Sequence, residues 1–266
     1  MPASSAANPV ANFAWQVAAA MRTALADRTN FALQMGGMIV NNSFVMVLWL
    51  LFFAGFRSVG GWRRPDVALL IGMMMIIVGL AGMAFGGYRD MAATISRGEI
   101  DALLTQPRSV LARLLSREAI PSAFGDLTTG VIVLAGFADL GWRQVPMLLL
   151  GLAAGTTIYV AVGVSFACMA FWARGARSFA RDLVEFVILL SSYPGSIFTG
   201  LDRLIIYSLL PAGFIVLTPV KLLRAPDLAT FTIMIAAAVG YVGLALGLFA
   251  LGLRRYQRGA SPGNGG

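Results

Sequence analysis

The stretch Leu204 to Leu223, LIIYSLLPAGFIVLTPVKLL, is apolar enough to cross a bilayer, but Pro211 and Pro219 interrupt it. A helix needs ~20 mostly apolar residues to span a ~30 Å hydrocarbon core. Each proline removes a backbone donor and crowds the carbonyl four residues earlier. If this stretch spans, the chain has seven crossings and its ends face opposite sides. If it dips in and returns, there are six crossings and both ends share one side.

The other apolar blocks set the frame for that choice. Ala32 to Phe56, Val67 to Tyr88, Ala119 to Leu140, Val145 to Trp172 and Ala229 to Leu253 each reach or approach spanning length. A shorter block, Leu183 to Thr199, carries the helix-breaking run Ser191-Ser192-Tyr193-Pro194-Gly195. With six crossings, 13 basic residues fall on the side of the termini and 7 on the other. Cytoplasmic loops carry the excess of Arg and Lys, so the bias selects six spans with both termini inside. A proline-broken, re-entrant element suits the remaining stretch, because protein rather than lipid can surround its backbone.

Composition agrees. The 266 residues are 58% hydrophobic and 12% charged, with a mean hydropathy of +0.80. Soluble domains are usually ~45–50% apolar and ~25% charged. The formal charge is +8, but its 19 Arg and single Lys lie between apolar blocks, which is a topology signal and not a nucleic-acid patch. There is no His, and Cys168 is the sole cysteine, so an intrachain disulfide and the usual zinc ligand sets are excluded. The first twenty residues lack the basic and apolar regions of a cleavable signal peptide.

The organisation that follows is all-α and membrane-integral. Residues 1–31 are a cytoplasmic start whose Phe13, Val17, Met21 and Leu25 recur every fourth position beside Trp15. That stripe fits an interfacial amphipathic helix or one packed on the rest of the protein. Residues 32–253 hold the six transmembrane helices, with the proline-broken re-entrant element between spans five and six. Residues 254–266 end in a Gly-rich run that reads as a disordered cytoplasmic tail.

Enzymatic motifs are missing. The one lysine, Lys221, sits between Val220 and Leu222, so no Walker A loop exists and ATP hydrolysis by that route is excluded. Ala123-Phe124-Gly125 before Asp126 is not the Gly-x-Gly-Asp turn of an intramembrane aspartyl protease, and a serine triad lacks its His.

The longest polar connection, residues 89–118, lies on the cytoplasmic side. Within it, Met91, Ile95, Ile100, Leu103 and Leu104 form a short apolar face, Arg97, Glu99 and Asp101 stay polar, and Pro107 stops the helix. So short a helix is marginal in water and needs a surface to rest on. The run Arg97-Gly98-Glu99-Ile100-Asp101-Ala102-Leu103-Leu104-Thr105-Gln106-Pro107, placed between spans two and three, resembles the signature of ABC-2-type transporter permeases. The chain is most similar to the small bacterial six-span permeases of about this length, and the likeness covers nearly all of it. Thr105-Gln106 departs from the apolar or basic residues common there.

The resemblance implies a membrane-spanning permease subunit of an ATP-driven ABC transporter in the bacterial inner membrane. It implies a second permease subunit, identical or related, and separate ABC ATPase subunits that hold ATP and Mg. Export or flipping of a lipophilic or amphipathic substrate is expected. The segment between spans two and three would be the coupling helix, with Arg97, Glu99, Ile100, Asp101, Leu104 and Pro107 its contact residues. The family's dimer seam involves spans two and five, so Met73 to Met75 and Ser191 to Ile197 are expected either there or facing lipid.

Polar residues inside spans are candidates for a translocation path: Asn41, Asn42, Asp126, Ser191, Ser192 and Tyr193. An intramembrane carboxylate is a functional candidate by default. Asp126 could equally pair with Arg117 or Arg113 near the inner interface, and Glu185 lies one helical turn from Arg181. Gly82/Gly86, Gly151/Gly155 and Gly243/Gly247 share the spacing that permits close helix approach. An ion-coupled secondary transporter or channel using Asp126 and Glu185 is the alternative function.

Overall fold

The computed structural model describes residues 9–58, 60–105, 109–173 and 175–259. Among these residues the secondary structure is helical, with no strand. In chain order the helices are α1 (Pro9–Ala26), α2 (Arg28–Gly55), α3 (Arg64–Phe85), α4 (Met91–Ser96), α5 (Asp101–Leu104) and α6 (Val110–Leu115). They continue as α7 (Pro121–Phe137), α8 (Val145–Ala167), α9 (Ala176–Ser191), α10 (Gly200–Ile206), α11 (Thr218–Arg224) and α12 (Leu228–Gln257). Among the described residues, four stretches are long and apolar enough to cross a membrane: α2, Arg64–Ser96, Trp142–Phe171 and α12. The shorter α7 is also apolar.

The long helices begin and end where local chemistry allows. Asp27 caps α2 by accepting from the Asn30 amide at 3.0 Å, which also separates it from α1. Asp227 does the same for α12 through Thr230 at 2.7 Å. Pro65, Pro121 and Pro146 stand in the first turns of α3, α7 and α8, where a missing amide costs no helix bond. Helix α12 runs to Gln257, past the expected boundary, so Arg254 and Arg255 form its last turn. The expected tail from residue 260 onward lies outside the described residues.

The core centres on α3, which is buried along most of its length, including Met73, Met74 and Met75. These methionines pack inside the protein, whereas the sequence reading put them on a dimer seam or against lipid. α3 meets α7 through small residues. A Cβ on Gly79 would stand 2.8 Å from the Leu127 nitrogen, one on Gly82 2.7 Å from the Ala123 methyl, and one on Gly130 2.8 Å from the Gly72 carbonyl. On its other side α3 packs against α8, which in turn carries α9 and α12. α2 and α12 leave most of their apolar surface outside, including Phe44, Leu48, Leu51, Val239 and Leu251. Such an exterior is stable only in lipid.

The ends of the bundle are defined by contacts between distant segments. At one end, here the near end, α1 packs its Phe13 on Phe85 (5.4 Å) and hydrogen-bonds Gln16 with Ser116 (2.7 Å). Tyr256 in the last turn of α12 donates to the Gly98 carbonyl at 3.2 Å at the same end. The α1 stripe is thus partly covered by protein, while Trp15 is exposed. At the far end, Arg224 pairs with Asp66 at 2.8 Å and stacks on Trp62, and Gln144 donates to the Leu223 carbonyl at 3.1 Å.

One element differs from the sequence expectation, and a second follows it. The fifth apolar block was placed at Leu183 to Thr199, but α9 starts at Ala176 and ends at Ser191, because Pro194 cannot continue it. α9 is strongly amphipathic: Ala176, Ala180, Val187 and Ser191 are buried, and Arg177, Arg181, Asp182 and Glu185 are exposed. The stretch from Leu204 to Leu223 is broken, as its prolines require. α10 ends at Ile206, a turn follows, and a wide π turn at Gly213–Leu217 leads into α11. Pro219 has no amide for the Ile215 carbonyl, and the π turn is the geometry that relieves this conflict. The backbone from Pro211 to Val220 is enclosed by protein, with only Phe214 partly open. Gly151 and Gly155 of α8 create the space: a Cβ on Gly155 would meet the Ile215 carbonyl at 2.5 Å, and one on Gly151 the Pro219 ring at 3.0 Å.

Candidate functional site

The polar segment between α3 and α7 is not a single rod. α4 ends in a Schellman turn, in which the Gly98 amide bonds the Ile95 carbonyl (3.2 Å) and the Glu99 amide bonds the Thr94 carbonyl (3.1 Å). Gly98 takes φ +75°, a left-handed conformation that an L side chain disfavours. The chain then turns into α5. The two halves have different environments. Met91 to Ile95 are buried in the core, packed on the end of α8 and on α9. Arg97, Glu99, Asp101, Ala102 and Thr105 are exposed, and Leu103 and Leu104 are half-buried.

The sequence-derived contact residues therefore separate. Arg97, Glu99 and Asp101 present an outward charged edge, and Leu104 lies at its margin. Ile100 is fully buried and faces the core, which removes it from any contact surface. Pro107 lies outside the described residues. Glu99 organises the edge. It accepts from Arg97 Nε at 2.6 Å and from Arg117 at 3.4 Å, and Arg117 also donates to the Thr94 hydroxyl at 3.0 Å. The Arg97 guanidinium, with help from Arg117, holds the Glu99 carboxyl below the usual carboxylate range. Arg113 donates to the Leu103 carbonyl at 3.2 Å and ties α6 to the end of α5. The result is an exposed charged turn braced from beneath by buried apolar residues.

Of the polar residues inside the spans, two meet. Asn42 of α2 donates to Asp126 of α7 at 2.9 Å, and both are buried. The expected alternative partners of Asp126 are engaged elsewhere, Arg117 with Glu99 and Arg113 with Leu103. Gly125 makes the pair feasible, since a Cβ there would stand 2.6 Å from the Met35 carbonyl. Asn41 is exposed and bonds Asn42 at 3.5 Å. At the end of α9, Ser191 is buried, Ser192 is half-buried and Tyr193 is exposed. Among the described residues, these three make no hydrogen bond to Asn42 or Asp126. Arg181 and Glu185 form the expected helical pair at 3.1 Å.

Residues 39–260 match the family described as ABC-2 family transporter protein. The chain belongs to that family. Comparison with curated proteins and with solved structures finds no match. The ABC-2 family assignment makes this a membrane component of a transporter, and its apolar helices fit that role.

Some residues of this ABC-2 transporter chain escaped the sequence reading. Tyr88 and Tyr159 are buried and joined hydroxyl to hydroxyl at 3.0 Å, with Arg89 donating to Tyr88 at 3.3 Å. Tyr256 fixes the Gly98 turn. Tyr88 and Tyr256 stand at the near ends of apolar blocks and Tyr159 inside one, and a buried hydroxyl must find a partner. That is the signal which could have singled them out.

Proposed function

We propose that this chain is the permease subunit of an ABC exporter, worked by separate ATPase subunits that hold ATP and Mg. The observation that carries the reading is the exposed Arg97–Thr105 turn seated on the buried α4, Ile100 and Tyr256. A partner gripping Arg97, Glu99 and Asp101 would displace core helices directly, because the turn has little soft structure beneath it. The near end then faces the cytoplasm of a bacterial inner membrane, and both termini lie there. Six crossings fit the contacts. α1, the Gly98 turn and the end of α12 share the near end, so α9 to α11 must contribute one net crossing. In this reading α9 crosses, and α10 to α11 enter and leave from the far end, supported by the Arg224–Asp66 and Gln144–Leu223 contacts.

Two permeases, identical or related, would enclose a path for a lipophilic or amphipathic substrate. The exposed polar face of α9, with Arg181, Asp182 and Glu185, supports such pairing, since charges facing lipid are costly. The ion-coupled alternative relies on Asp126, whose bond to Asn42 favours a helix-joining role. The test is co-expression with ATPases encoded beside this chain, followed by affinity purification and ATPase assay. An ATPase should co-purify, and Glu99→Arg with Asp101→Arg should abolish stimulation while the chain still inserts. If no ATPase is captured, or both reversals leave stimulation intact, the exporter reading is lost. Proton-coupled uptake by the chain alone in liposomes, lost on Asp126→Asn, would establish the alternative.

A further inference from the structure

Away from the coupling turn, α2, α3 and α7 enclose a groove at the far end of the bundle. Met46, Trp49 and Phe53 of α2, Ile71 of α3 and Phe137 of α7 form its walls, around about 280 Å³ of open space. Most of that space lies open to the outside, so the groove can take a chain laid along it and not an enclosed ligand. Its lining is almost wholly apolar, and the sole charged group on it is Arg64. The Arg64 guanidinium lies 5.2 Å from the centre of the Phe137 ring. Its neighbours are neutralised differently: Arg63 and Arg224 share Asp66, at 3.9 and 2.8 Å. Arg64 has no carboxylate in ion-pair contact among the described residues, and it is exposed.

The depth of the groove is marked by aromatic side chains. Trp49 and Phe53 stack at 5.9 Å, and Phe52 and Phe56 at 4.7 Å, in the last two turns of α2 and the residue that follows it. Trp49 is the member of this cluster whose residue type is enriched at the level of lipid headgroups. A polar ligand would find one cation and no other partner there. A ligand with a hydrocarbon tail and an anionic head would satisfy both parts of the site. We propose that this groove seats an acyl chain of an anionic phospholipid, with the lipid phosphate on Arg64. The site is separate from the coupling turn, and it does not rest on the exporter reading.

One basic residue near an anionic bilayer surface gives a roughly five-fold preference. The test uses the full-length chain in nanodiscs of equal parts phosphatidylglycerol and phosphatidylcholine, without nucleotide or ATPase. Either lipid, carrying a diazirine on its acyl chain, is photo-cross-linked, and the modified peptides are mapped. Phosphatidylglycerol should label the 46–53 segment with a roughly five-fold excess over phosphatidylcholine. Arg64→Gln should remove that excess, Arg64→Lys should retain it, and Arg57→Gln should leave it unchanged. Equal labelling by both lipids, or an excess that survives Arg64→Gln, overturns the proposal. So does an equal loss with Arg57→Gln, which would mean a diffuse basic belt instead of a site. Failure here leaves ATPase capture and stimulation untouched.

Discussion

Replacing Gly155 by alanine tests the seating of the proline-broken element with one methyl group. The new Cβ would stand 2.5 Å from both the Ile215 carbonyl and the Ile77 Cδ1. Ile77 can rotate, but the carbonyl belongs to a π turn enclosed by protein and must move with its backbone. Relief to ordinary contact requires a shift of roughly 1 Å, and overpacking of this kind costs ~1–3 kcal/mol. Gly151→Ala should cost less, because its closest contacts are the Pro219 ring at 3.0 Å and the flexible end of Met73 at 3.3 Å. Gly243→Ala, with nothing within 4 Å, should be neutral or gain up to ~1 kcal/mol from helix propensity. Unfolding of the detergent-solubilised protein, followed by circular dichroism against denaturant, ranks the three variants. If Gly155→Ala is as mild as Gly243→Ala, the broken element is not packed on α8 as described.

Three further outcomes follow from the site. Asn42→Ala leaves the Asp126 carboxylate buried without its donor, which should cost ~1–3 kcal/mol, while Asn42→Leu with Asp126→Leu should recover most of the loss in the same unfolding assay. Ile100→Ala should destabilise the chain by ~2–5 kcal/mol, as removal of a buried side chain does, whereas Asp101→Ala should leave stability unchanged and weaken ATPase capture on affinity beads. Because Arg97 lowers the folded-state value of Glu99, the stabilisation from Glu99 is present above the ordinary glutamate range and fades as pH falls through its folded value. The difference in melting temperature between wild type and Glu99→Gln should therefore be seen at neutral pH and close in acid.

The spans formed by α2, α3, α8 and α12 were legible because uninterrupted hydropathy is sufficient to define them. α9 was displaced by the same measure, since an apolar average cannot find a helix that alternates Arg181, Asp182 and Glu185 with Val184 and Val187. The family-like motif pointed to a segment whose shape differs from the expected one. Its apolar positions fit one helix, but Gly98 closes α4 and starts a second, so Ile100 turns inward. Small-residue spacing was uninformative alone: Gly151 and Gly155 hold a neighbouring backbone, whereas Gly243 and Gly247 touch nothing. The Asn42–Asp126 bond joins residues 84 positions apart and depends on how α2 crosses α7, which no local pattern encodes.

The hydroxyl of Tyr256 on the Gly98 carbonyl has a practical consequence for handling this protein. It stitches the chain's last helical turn to its middle. Truncation ahead of Tyr256, or a rigid fusion welded onto α12, would loosen the Gly98 turn from a distance and, under the proposed function, mimic a defect in ATPase engagement. Epitope tags belong beyond Gly259, on a flexible spacer.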